Sequence, residues 1–279
     1  MQRTLVNELA RVFREGAVLP DAGARSGRDT RSHVIHRNAA RGVVRAGFIC
    51  GVAFIVSSAI QGCVHGDDWR ADLLWTTVFG GCAVLLLALV GSLGIRVLLR
   101  SRLPGEIARG NEAAGVAAAA HYAATGLIVG RCLYGDDVGT LGISVVFFAI
   151  AQATLHLFLM LFRSLTSYSD DQEIMGQNVA AALSYAGATL AIAVIVGHAA
   201  EGDFVAWGQS LRAYALALLS VLVLYPVRQL LVQMLLLRQP FALRGGGLDR
   251  LVAQERNVGA SAVEAVSYLA AAFLLTGIA

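Results

Sequence analysis

Glu264 is an acid inside an otherwise apolar run, VGASAVEAVSYLAAAFLLTG. Such a side chain is expensive in hydrocarbon unless it is paired, protonated or used. It stands seven residues after Asn257, and three other asparagines, Asn38, Asn111 and Asn178, also open runs of small and aliphatic residues. The same offset from those three gives Arg45, Ala118 and Tyr185. Equal offsets in helices entering from one side lie about two turns deep. The spacing therefore predicts that Arg45 and Glu264 face the interior at similar depth and pair, within one chain or across a subunit contact. The alternatives are a Glu264 that takes up and releases a proton along a path through the protein, and an Arg45 that reaches back to the interface on its aliphatic stem.

His121 and His156 are the histidines inside apolar runs, without a second histidine at helical spacing. They read as hydrogen-bonded core groups rather than metal or haem ligands. Gln152, four residues before His156, shares its helical face and extends a polar stripe. Cys50 and Cys82 read as small apolar fillers. Cys63 and Cys132 end two runs where an oxidising compartment permits a disulfide, with free thiols as the default. All 22 basic residues are arginine, which removes Schiff-base chemistry and the lysine of a phosphate-binding loop. GxSxG, HExxH and CxxC are absent, and the GDD triplets at 66–68 and 135–137 are acidic turns. The chain reads as a non-enzyme: no catalytic residue, metal or cofactor is expected.

The elements that position these residues are membrane helices. The chain is 57% hydrophobic and 15% charged, against roughly 25% charged in a soluble domain. Apolar runs close to the ~20 residues that cross a bilayer fall at about 43–62, 73–95, 112–130, 140–162, 179–198, 211–236 and 258–277. Each asparagine sits where its side chain can accept from a first-turn amide, or where four helix starts could converge on a polar or anionic group. Tyr225-Pro226 predicts a kink in the sixth span, with Arg228 beyond it reaching to the interface. Seventeen arginines fall on one side of the seven spans and two on the other. This places the N-terminus in the cytoplasm and the C-terminus in the periplasm. Trp69, Trp75 and Trp207 mark the outer boundary. Residues 1–41 read as a cytoplasmic segment with an amphipathic surface helix and a basic linker, and 42–279 as the membrane domain.

The second and third asparagines carry a Glu five residues ahead, Glu106 and Glu173, in EIARGNEAAGV and EIMGQNVAAAL. From about Leu73 onward, and most closely over SYSDDQEIMGQNVAAALSYAGATLAIAVIVG, the chain resembles the bacterial DUF350 (UPF0719) membrane family. That family repeats a helix pair with an E-I-x-x-x-N-x-A-A/V-A type signature. The copies at Asn257 and Asn38 depart, with Val252 and His33 in the acid's place. The resemblance implies a polytopic inner-membrane protein connected with envelope stress.

The expected fold is an all-α polytopic membrane bundle of seven transmembrane helices built from tandem parallel two-helix repeats. The expected role is a scaffold or envelope-stress partner in a complex of the bacterial inner membrane. Its expected partners are the lipid bilayer, a membrane or cytoplasmic protein and a second copy of the chain, with no nucleic acid. Passage of a small cation or proton is the alternative. A lipid-modifying enzyme is a third, and no paired acids or nucleophile support it.

Overall fold

The computed structural model describes residues 38–98, 103–202, 204–242 and 244–278. The amphipathic helix expected near the N-terminus and the His33 position lie outside them. Among the described residues there is no strand, and seven helices are long and apolar enough to span a bilayer. These are α1 (Ala39–Cys63), α2 (Trp69–Leu98), α4 (Glu112–Arg131), α5 (Val138–Ser164), α7 (Val179–Ala199), α8 (Trp207–Leu236) and α10 (Val258–Ile278). A short helix precedes each of the last three asparagine-led spans: α3 (Leu103–Ala108), α6 (Asp170–Met175) and α9 (Gly247–Asp249), the last continuing as a π turn over Arg250–Gln254. The protein is an all-α polytopic membrane bundle.

The asparagine-led helices form a row, α1 against α4, α4 against α7 and α7 against α10, and α2, α5 and α8 pack beside it. The two middle members are the core. Within their apolar windows 78% of α4 and 83% of α7 is buried, against 22% of α1 and 33% of α10. Their composition allows this, because alanine and glycine let backbones touch, and lipid offers no hydrophobic drive to bring helices together by other means. A Cβ on Gly47 would lie 2.4 Å from Ala119, one on Gly126 2.3 Å from Gly51, and one on Gly187 2.4 Å from Ala265. Gly47 and Gly187 each stand nine residues after their asparagine, and each meets an alanine eight residues after the next. The row is therefore parallel and in register. Large side chains such as Ile49, Leu157, Leu219 and Phe273 point outward, as a lipid-facing surface requires.

In α8 the winding changes at the proline. The helix tightens to 3-10 geometry over Leu218–Val223 and opens to a π-helix over Val227–Leu236. Pro226 has no N–H to give, so the ladder shifts register around it. That shift, rather than the expected snorkelling, accompanies a fully buried Arg228.

Candidate functional site

Each of the four described asparagines caps its own helix, and the first three also bind across to another. Its Oδ1 accepts from a first-turn amide of its own helix: Asn38 from Arg41, Asn111 from Ala114, Asn178 from Ala181 and Asn257 from Ala260, at 3.0–3.2 Å. In Asn38, Asn111 and Asn178 the Nδ2 reaches across to the end of the following short helix. Asn38 donates to the Ile107 carbonyl (3.0 Å), Asn111 to Ile174 (2.9 Å) and Asn178 to Val252 (2.9 Å). One amide thus caps one helix and ties it to the next short helix. The acids five residues ahead hold that amide in place, Glu173 at 2.8 Å from Asn178 and Glu106 at 3.3 Å from Asn111. Val252, in the acid's position before Asn257, is buried and supplies only its carbonyl.

The local chain path explains the spacing. The amides of Asn111 and Asn178 close six-residue turns onto the carbonyls of Glu106 and Glu173, and Asn257 closes a wider one onto Leu251. This is a Schellman-type helix end, which needs a left-handed residue just before the asparagine. Gly110 fills that place at φ 92°, whereas Gln177 at φ 62° and Arg256 at φ 50° fill it with side chains.

Five charges are gathered near the asparagine end of α7 and α10. Arg228 donates from Nε to Glu264 Oε1 at 2.9 Å and from its terminal nitrogen to Asp249, and Tyr268 donates to the same Glu264 oxygen at 2.6 Å. Asp249 also accepts from the backbone and hydroxyl of Ser167. Beside them Arg163 pairs with Asp170 and donates to Tyr168 at 2.7 Å and Ser184 at 3.0 Å. Phe162 stands edge-on to Tyr268 at 5.4 Å, between the two groups. Burial pushes the Asp170 carboxyl up against the pull of Arg163, and pushes the Tyr168 hydroxyl up to about 12. Three carboxylates share two guanidiniums, and Glu264 Oε2 is buried without a hydrogen bond.

The expected partner of Glu264 is thus corrected. Within the chain its cation is Arg228 from α8, while Arg45 is half-buried on α1 at the other end of the row, because α4 and α7 stand between. Tyr185 and Ala118, at the same offset, are both buried. Sequence reasoning missed Arg163, Asp170 and Asp249. Their signal was the charge at either end of a short helix beside an apolar span, which reads equally as an exposed loop.

Of the two histidines, His121 differs from expectation and His156 is hydrogen-bonded as expected. His121 is buried with neither ring nitrogen hydrogen-bonded, and its ring meets His156 edge-on at 5.3 Å. His156 Nδ1 lies 2.6 Å from the Gln152 carbonyl, and Gln152 Nε2 donates to Thr125 at 3.4 Å. The alanine-rich α4 has few polar atoms to offer His121. All four cysteines are free, and burial pushes the Cys132 thiol up to about 12. At the far end a cleft of about 490 Å³, lined by Ser144, Phe147, Glu201 and Phe204 among others, sits beside the Arg131–Glu201 ion pair.

The sequence has counterparts among known proteins. The family model described as Domain of Unknown Function (DUF350) matches this chain twice, over residues 26–133 and 137–279. The chain belongs to the DUF350 family. It is also similar to a UPF0719 transmembrane protein of Aquifex aeolicus (strain VF5), 22% identical over 242 residues that span 86% of this chain and 85% of the relative. No solved structure matches it. In DUF350 terms, the junction between the two matches falls at residues 134–136, in the turn between α4 and α5.

Proposed function

We propose that this DUF350 protein is a non-enzymatic scaffold of the bacterial inner membrane, a slab of tandem helix pairs that holds a partner of the envelope-stress machinery at its arginine-rich face. The observation that carries this reading is the backbone contact along the row. Gly47, Gly126 and Gly187 bring neighbouring helices so close that no methyl group fits between them. A translocation path along those seams would need them to part. The asparagine ties and the buried ion cluster then fix the short helices α3, α6 and α9 to the slab, in keeping with buried polar groups that specify one arrangement. By the arginine count that face is cytoplasmic, and the C-terminus is periplasmic.

Passage of a proton is the second reading, favoured by the buried and unpartnered atoms of Glu264, His121 and Gln152. Purified protein in liposomes separates the two. After a pH jump or a potassium gradient, the scaffold reading expects vesicles as tight as protein-free ones. A proton leak abolished by Glu264→Gln would establish the passage instead.

A further inference from the structure

His121 is 1% exposed in α4, and neither of its ring nitrogens meets a hydrogen-bond partner. Ten residues after Asn111, it lies roughly 15 Å along the span, at the middle of a ~30 Å hydrocarbon core. A polar group left dry and unpaired there costs stability unless something is bound to it. Its neighbour is His156 of α5, with the ring centres 5.3 Å apart and the planes at 81°. His156 Nδ1 lies 2.6 Å from the Gln152 carbonyl oxygen. A carbonyl only accepts, so Nδ1 carries the hydrogen and Nε2 keeps a lone pair. A backbone carbonyl holding the far nitrogen is also what orients a metal-ligating imidazole. Gln152, one turn earlier, has a buried Oε1 with no partner, while its Nε2 turns to Thr125 at 3.4 Å. Two imidazoles and an amide oxygen, each with an acceptor atom to offer, are thus gathered between α4 and α5.

We propose that His121 and His156 bind a soft monovalent metal ion, copper(I), at the middle of the membrane. The inference goes beyond the scaffold reading and does not rest on it. The ring separation suits one ion about 2 Å from a nitrogen of each imidazole. At that spacing the two bonds meet at a bent angle, which leaves a side of the ion open to the Gln152 oxygen. The donor set selects the ion. Among the described residues no Cys, Asp or Glu completes a group of three with the pair, so the charge of the ion is not cancelled. The cost of carrying a charge into a low dielectric rises as its square and is about four times greater for a divalent ion than for a monovalent one. Hard cations take sets of oxygen ligands, whereas imidazole suits copper. His156 is half-buried, so the ion enters beside α5 without parting the seams of the row.

The test is titration of the purified full-length protein in detergent with copper(I), under anaerobic reducing conditions and against the chelator bicinchoninate, with X-ray absorption of the one-to-one complex. The expected result is one tightly held ion per chain, in a shell of nitrogen and oxygen with the outer scattering of imidazole. Its dissociation constant rises at least tenfold in His121→Leu and in His156→Leu. Because His121 gives up no hydrogen bond, His121→Leu without the ion melts no lower than the native chain, so lost binding is not lost fold. A chain that takes up no copper(I) overturns the proposal. So does a sulfur shell that both histidine variants keep, which would place the ion on the free cysteines. Zinc(II) held at the pair as tightly as copper(I) overturns the monovalent assignment. The liposome flux assay is separate from this one: a proton-tight protein that takes up no copper(I) loses this site and keeps the scaffold reading, and a leaky one that binds it does the reverse.

Discussion

Glu264 shows what a single buried residue can and cannot announce. Its position in an apolar run marked it as paired or protonated, and the asparagine offset set its depth. Its partner was not legible, because Arg228 stands 36 residues away on a helix whose register shifts at Pro226, and Asp249 comes from a hairpin between them. Sequence spacing reports neighbours along a helix, and this contact is made across three segments. Removing one partner leaves an uncompensated charge, so Arg228→Met alone should cost on the order of 3–5 kcal/mol. Glu264→Gln removes the excess acid while keeping an acceptor for Tyr268, and should cost less. A double-mutant cycle on thermal stability in detergent checks this. The account expects the double variant to recover at least about 1 kcal/mol relative to the sum of the single changes, and strict additivity would show that the pair is not coupled.

At the scale of the element, the tie between a short helix and the span after it was half legible. The motif EIxxxN gave the acid and the cap, whereas the second bond of the same amide, to a carbonyl more than sixty residues away, needs the hairpins folded against the row. The residue before the asparagine is equally informative in hindsight: glycine at 110 reveals a left-handed position that Gln177 and Arg256 conceal. A left-handed residue with a Cβ is strained by about 1–2 kcal/mol. Gln177→Gly should therefore stabilise the protein, by roughly 0.5–1 kcal/mol once the greater freedom of glycine in the unfolded chain is subtracted. Gly110→Gln should destabilise it by a similar amount. Denaturation midpoints of the two variants measured side by side decide the matter, and two shifts of the same sign would contradict the assigned helix ends.

The whole molecule was the most legible level. Hydropathy gave all seven spans to within a few residues, because length and apolarity are set by the bilayer rather than by contacts. Which helices are central was less plain, since α4 is the least apolar of the seven spans and α7 stands close to α1 and α5; what distinguishes them is side-chain size, with many alanines and glycines. A slab packed that way has no water along its seams, and this is the claim on which the functional reading turns. It is tested most directly by a cysteine accessibility scan in intact membranes. Thr125, Ser184 and Thr189, buried at successive depths in α4 and α7, are changed singly to Cys and exposed to a membrane-impermeant thiol reagent from either side. The account predicts that all three remain unlabelled while a cysteine at Asp136 reacts. Labelling of the three at rates that fall steadily with depth from one side would contradict it, and would place a water-filled path where the helices are held to touch.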